Sequence, residues 1–325
     1  MQKQFQEEIT AAVSAVKAQQ PISHFYFVAC GGSLAFMQPA EFIFTKELTT
    51  PATILPAREF VTREPKALDE HSVVVSCSHS GTTPETVEAT KYAAKHGALT
   101  IAFTNAEQSP LAEAAAQVIH YNWGKGTDAS DLNTGVLYGW LFETLNALQP
   151  ANKYVRGRQT IETFESVVAK ARVQYTPIMQ QWAKELKREK LIYAIGSGVN
   201  TGEVYSFSAC WLQEMQWINS GFIHSGEFFH GPFEVTDFDV PFVICKGIGK
   251  SRVMDERAAT FAKRFSKKVY EVDGADFDMS GVDEDLQEYY SQIISGIAFR
   301  ALAEALAYER GHSLDVRRYM WHLDY

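Results

Sequence analysis

A cluster of hydroxyls stands in one short loop of this chain. The run Cys77-Ser78-His79-Ser80-Gly81-Thr82-Thr83-Pro84-Glu85-Thr86 follows the apolar stretch Val73-Val74-Val75-Ser76 and precedes a helical pattern over 87–96. It reads as a strand, a hydroxyl-rich loop and a helix N-terminus. Thr83 is a good N-cap residue and Pro84 a good first helical residue. A helix N-terminus leaves backbone N–H groups unpaired and carries partial positive charge. With the hydroxyls of Ser78, Ser80 and Thr83 added, the loop can cradle a phosphate. It has no lysine and no Walker spacing, so a sugar phosphate fits better than a nucleoside triphosphate. The same residues also read as an ordinary capped helix behind a polar loop.

A second group of candidates lies between Glu214 and Glu234. Glu214 falls in an apolar helical pattern near Cys210, Trp211 and Trp217. A carboxyl in apolar surroundings is expected to have a raised pKa, which suits general acid–base work near neutrality. His230 stands before Gly231-Pro232, a turn that can aim it into a cleft. Glu214 pointing to solvent and His230 serving as an ordinary turn histidine are the plainer readings. Glu227 and Glu234 read as helix or surface carboxylates. His224 and His230 lack the HExxH spacing that would set two ligands on one helical face, so no metal site is expected.

The elements that must position these groups repeat one plan. Phe25 to Cys30, an apolar strand, ends in Gly31-Gly32-Ser33, and Leu191 to Ile195 ends in Gly196-Ser197-Gly198. Val73–Cys77 has its counterpart in Val240–Cys245, and Ala98–Phe103 in Lys268–Val272. The shared offset of about 166 residues across three strands supports an internal duplication. Apolar strands alternating with helical patterns predict parallel sheets covered by helices on both faces. Ligands of such sheets bind at the carboxyl ends of the strands, where Gly31–Ser33 and Ser78–Thr83 both stand. The boundary between halves is expected near 149–155, followed by a long helical stretch over about 159–190. The aromatic tail, with Tyr319, Met320 and Trp321, is expected to dock on the body of the protein, where it could cover a site.

At 325 residues and 46% apolar, the chain is long enough for two ordinary domains. A net charge of −9 argues against nucleic acid or an anionic membrane as partner. No run is long enough to span a bilayer, and residues 1–8 hold no apolar signal core, so a soluble cytoplasmic protein is expected. Cys30, Cys77, Cys210 and Cys245 form no CxxC pair and are expected to be reduced.

The strand ending in Gly-Gly-Ser, the run SHSGTTPET and the Glu-x15-His-Gly-Pro spacing from Glu214 to Pro232 together resemble the sugar isomerase, or SIS domain, family. The layout is similar to the isomerase half of glucosamine-6-phosphate synthase, across essentially the whole chain. Finer runs look like the bacterial fructosamine-6-phosphate deglycases: Glu214-Met215-Gln216-Trp217-Ile218, the stretch Ser225 to Glu234, and Arg317-Arg318-Tyr319-Met320-Trp321. The resemblance implies an α/β protein of two tandem SIS domains, 1–150 and 151–325. Each would be a parallel sheet flanked by helices in a flavodoxin-like three-layer sandwich. It implies phosphate binding by Ser33, Ser78, Ser80 and Thr83, with Gly31, Gly32 and His79 as further substrate contacts. It assigns proton transfer to Glu214, and ring opening with proton management at the C2 oxygen to His230. It implies no metal and no organic cofactor, and a homodimer with shared active sites.

Two departures from the synthase stand out. No glutaminase domain precedes the first strand, and the tail lacks a near-terminal lysine. The reaction the resemblance implies is hydrolysis of a carbon–nitrogen bond in a ketosamine 6-phosphate, through an enaminol and an imine. The alternatives are an aldose–ketose isomerase, a glucosamine-6-phosphate deaminase, or a sugar-phosphate sensor without chemistry. Bacterial sensors of that type carry a helix-turn-helix first, and a first strand expected near residue 24 leaves no room for one.

Overall fold

The structure, a computed structural model, describes residues 1–323. The chain divides into two compact units, residues 1–166 and residues 167 onward. The division falls beyond the loop at 149–151, because the helix after that loop stays with the first unit.

In the first unit the elements run α1 (Lys3–Ala18), β1 (His24–Ala29), α2 (Gly31–Glu47), β2 (Ala52–Pro56), α3 (Ala57–Arg63) and β3 (Ser72–Cys77). They continue with α4 (Pro84–Lys95), β4 (Leu99–Thr104), α5 (Pro110–Ala114), β5 (Gln117–His120), α6 (Asn133–Leu148) and α7 (Asn152–Thr163). The strands form one parallel sheet in the order β2-β1-β3-β4-β5. Successive side chains of β1 serve opposite faces, as the pleat requires. Phe25 and Phe27 meet Phe44 of α2 edge-on, and Phe44 stacks on Trp140 of α6. Tyr26 and Val28 pack with Phe60 of α3 and with Ala89 and Ala93 of α4. Helices therefore cover both faces. On α1 the buried residues Phe5, Ile9, Ala12 and Val16 recur at helical spacing. α7 lies close on α6: a Cβ on Gly157 would come within 2.6 Å of the Phe142 ring.

The second unit holds α8 (Glu165–Leu186, whose first residues straddle the division), β6 (Leu191–Gly196), α9 (Thr201–Ser206) and a π-helix over Phe207–Met215. Then follow β7 (Asn219–His224), β8 (Phe242–Lys246), α10 (Arg252–Phe265), β9 (Val269–Asp273) and α11 (Glu284–Arg310). Its sheet, also parallel, has the order β7-β6-β8-β9. Phe242 and Ile244 of β8 pack on Ala258, Ala259 and Ala262 of α10. Cys245, which points the other way, reaches Ser295 of α11. The expected three-layer α/β sandwich is thus present twice. β6, β8 and β9 hold the same places in their sheet as β1, β3 and β4 in theirs, which bears out the duplication. The long helical stretch over 159–190 is real, but it breaks between Thr163 and Glu165. Among the described residues no helix is long and apolar enough to cross a membrane.

Candidate active site

In the first unit the strand order reverses between β1 and β3, which are paired neighbours. Such a switch point opens a crevice at the carboxyl ends of the two strands. The N-terminus of α2 follows β1, and the Ser78–Thr83 loop follows β3. Gly31, Gly32 and Ser33 prove to be the first turn of α2 rather than a loop, with Cys30 as N-cap. Gly31 takes φ +52°, a left-handed value that favours glycine. Ser33 is half-buried, and its hydroxyl bonds with the Cys77 thiol. Burial pushes that thiol up to about 12, so Cys77 is inert packing.

The loop hydroxyls are paired. Ser78 Oγ lies 2.9 Å from Thr83 Oγ1, and Ser80 Oγ lies 2.8 Å from Thr82 Oγ1. Thr83 does sit at the N-cap of α4 and Pro84 at its first position, but the Thr83 side chain makes no capping hydrogen bond. The ordinary capped-helix reading therefore fails for this hydroxyl, which is paired with Ser78 instead. Ser78 is only 2% exposed, behind Thr83, whereas Ser80 is exposed. Gly81 takes φ +66°, and a Cβ there would meet Ser109 Oγ at 2.1 Å. Only glycine fits, and the turn that presents Ser80 and Thr83 depends on it. His79 directs Nδ1 to the Tyr121 hydroxyl at 3.3 Å and meets Trp123 edge-on. Partial burial lowers its pKa, so its ring is neutral at neutral pH.

In the second unit Glu214 lies on the π-helix, not on an α-helical face. Wide-turn helices of this kind recur at functional sites because they shift side chains out of the α register. The expected apolar enclosure is corrected by an ion pair. Arg317 reaches Glu214 Oε1 with Nε at 2.9 Å and Nη2 at 2.8 Å. The Glu214 side chain is 25% exposed and that of Arg317 only 7%. His230 is exposed, in the turn before Gly231, which takes φ +128° with open space around it. Its backbone N–H bonds Glu227 O at 2.9 Å, and its ring makes no hydrogen bond among the described residues. Glu227 and Glu234 are exposed surface carboxylates, as expected. No direct bond joins Glu214 to His230.

Other groups went unseen in the sequence. Glu203 of α9 bonds the Gln292 amide and lies under Gly296 of α11; burial pushes its carboxyl up to about 7. Asp255 of α10 is fully buried and accepts hydrogen bonds from Ser197, Ser225 and the Gly247 backbone. Neither residue stands in a recognisable motif. Among the described residues no group of three or more His, Cys, Asp or Glu side chains is placed to hold a metal.

Comparison with known proteins identifies the family and the fold. Residues 20–144 match the SIS domain family. The chain is 42% identical to fructosamine deglycase FrlB of Bacillus subtilis (strain 168), over 98% of this chain and 97% of that one. It is 25% identical to the fructoselysine 6-phosphate deglycase of Escherichia coli (strain K12), over 95% of this chain and 88% of that one. A phosphosugar isomerase structure from Bacillus subtilis superposes with a TM-score of 0.95 and 41% identity, covering 100% of both chains. At 42% identity over nearly its whole length, this chain belongs to the fructosamine deglycase family of SIS-domain proteins.

Proposed function

We propose that this protein is a deglycase that converts a fructosamine 6-phosphate, a ketosamine carrying an amino acid on C1, into glucose 6-phosphate and the free amino acid. The carrying observation is the 42% identity to a fructosamine deglycase along 98% of the chain. The paired hydroxyls at the N-terminus of α4 support a phosphorylated substrate. Thr83 and Ser80 would donate to the phosphate, Ser78 would orient Thr83, and Ser33 with the amides of Gly31 and Gly32 would line the neighbouring helix end.

The chemistry needs a base and an acid. Glu214 takes a proton from C1 of the open-chain ketosamine. The C1–H electron pair becomes the C1=C2 bond, and His230 gives a proton to the C2 oxygen. In the resulting enaminol the nitrogen lone pair then forms C1=N while C2 takes a proton. Water adds to C1, and the C1–N bond breaks with proton transfer to the departing amine. One water is consumed; C1 rises to the aldehyde level as C2 falls from ketone to alcohol, so the redox change is internal and the overall reaction couples an isomerisation to hydrolysis of the carbon–nitrogen bond. Each proton-transfer group is worth roughly 10²–10⁴ in rate.

The protein is further proposed to act as a homodimer with shared active sites. Trp217, Tyr319, Trp321 and Leu323 of the second unit are all large apolar side chains at least 40% exposed, the kind of surface a symmetric partner covers. The test of function is product analysis by mass spectrometry on a panel of phosphorylated Amadori compounds, with fructose 6-phosphate and glucosamine 6-phosphate alongside. Release of glucose 6-phosphate and amino acid from the Amadori compounds is expected. Turnover of only the other two sugars would favour an isomerase or a deaminase.

A further inference from the structure

The contact between Arg317 and Glu214 joins residues far apart in sequence, and a merely structural role does not explain its form. Both donors, Nε and Nη2, converge on one carboxylate oxygen, Oε1. No hydrogen bond among the described residues reaches Oε2. A guanidinium ordinarily forks across both oxygens of a carboxylate. Here it grips one oxygen and leaves the other open.

The guanidinium is itself fixed. Nη1 donates to Leu314 O at 2.6 Å and to Val316 O at 3.1 Å, so the local turn sets its orientation. Its Cζ lies 5.2 Å from the centroid of the Trp321 ring. The segment that carries it is anchored beside Glu214. Gln216 Nε2 donates to His312 O at 2.9 Å, and Arg310 Nη2 donates to Gln216 O at 3.1 Å. Trp217 meets the His312 ring at 4.5 Å, and the Arg318 guanidinium lies 4.3 Å from the Trp217 ring. The C-terminal segment is thus built onto the end of the π-helix, and Arg317 is the group it delivers to Glu214.

We propose that Arg317 is a positioning residue for Glu214: it locks the carboxylate by one oxygen so that the other is presented, free of hydrogen bonds, to take a proton. This rests on the reading of Glu214 as the base. A carboxylate free to rotate about its last bond would offer its lone pair in the right direction only part of the time. Misplacement of a reacting group by about 1 Å can cost on the order of 10²-fold in rate.

The test is steady-state kinetics of Arg317→Ala, Glu214→Gln and the double variant in the full chain on a phosphorylated fructosamine, with folding checked by thermal melting. Arg317→Ala is expected to lower kcat by roughly 10- to 100-fold with KM nearly unchanged. Guanidinium ion at tens of millimolar should restore part of that loss. In the Glu214→Gln background, Arg317→Ala should add nothing, because its partner is already disarmed. Wild-type kcat in Arg317→Ala beside a slow Glu214→Gln would overturn the proposal and leave the base assignment standing. Wild-type kcat in Glu214→Gln would overturn the base assignment itself. A rise in KM with kcat intact would mean that the guanidinium serves a substrate carboxylate, and would also overturn the proposal, as would losses that multiply in the double variant. Should Arg317→Ala unfold, Arg317→Gln keeps bulk and N–H donors and carries the same comparison.

Discussion

Removing the Thr83 hydroxyl should weaken binding of phosphorylated substrate far more than removing the hydroxyl behind it. Ser78 and Thr83 form a couple with 2.9 Å between their oxygens. One O–H of the pair is used between the two oxygens and the other is free to donate outward. Ser78 is only 2% exposed, so the outward donor is Thr83. Thr83→Ala deletes a hydrogen bond to a charged group, worth about 1.5–3 kcal/mol. At about 1.4 kcal/mol per decade, KM should rise roughly 10- to 150-fold, with kcat little changed. Ser78→Ala deletes only a neutral hydrogen bond that steadies the donor, worth about 0.5–1.5 kcal/mol, or roughly 2- to 12-fold. Because the hydroxyls act as a unit, the double variant should be no worse than Thr83→Ala alone.

The assay follows glucose 6-phosphate release through a coupled dehydrogenase for the phosphorylated substrate, and amino acid release by mass spectrometry for its unphosphorylated analogue. The rise in KM should appear only with the phosphate present. An equal rise for both substrates would mean that the loop holds the sugar and not the phosphate. A larger effect from Ser78→Ala than from Thr83→Ala would reverse the geometry argued from the buried and open members of the couple.

Three further outcomes are expected. Glu214→Gln should fold normally and turn over roughly 10²–10⁴ times more slowly, read by single-turnover kinetics beside a thermal melt; wild-type turnover would remove it from the mechanism. The His79 ring should titrate below the ordinary histidine value of about 6.5, since burial disfavours its charged form; a midpoint above that value in an NMR titration would place an unseen anionic partner beside it. Glu214→Gln and His230→Ala, unfolded and refolded together, should recover roughly a quarter of wild-type activity if each dimer site takes one residue from each subunit, and no recovery in mass-verified mixed dimers would refute the shared site.

What the sequence revealed and what it hid follow from burial. β1, β3, β6 and β8 are packed on both faces and read as unbroken apolar runs, so they could be found and matched between halves. The strands that escaped notice, β2, β5 and β7, are all sheet edges with mostly half-exposed residues, and Asn219-Ser220-Gly221 in β7 carries no strand signal at all. The hydroxyl loop was legible because strand, loop and helix start are contiguous. The surroundings of Glu214 were not. A π-helix shares its composition with an α-helix, so the apolar face drawn for Cys210, Trp211 and Glu214 used the wrong period. The arginine that answers Glu214 comes from a segment 103 residues away. Arg317 was visible only as a letter in a tail motif.

In the second unit Asp255 stands near the place that corresponds to the phosphate loop proposed for the first. In the second unit Ser197, Ser225 and Gly247 follow β6, β7 and β8, at the carboxyl ends where a ligand would lie. Their hydroxyls and N–H group converge on one carboxylate, at 2.6, 2.6 and 3.0 Å, carried on the first turn of α10. An anion there is favoured by the helix N-terminus, as a phosphate would be. Burial raises the Asp255 pKa against the pull of these three donors, the signature of an ionisable group held where solvent does not reach. The second sheet therefore fills this place with a side chain of its own, while the first has paired hydroxyls there, which is the place proposed for the phosphate of a substrate. Glu214 and His230 lie elsewhere in the second unit, on the π-helix and on the turn after β7. The division of labour proposed between binding and proton transfer would then follow from which copy of the fold has its switch point filled by its own side chain.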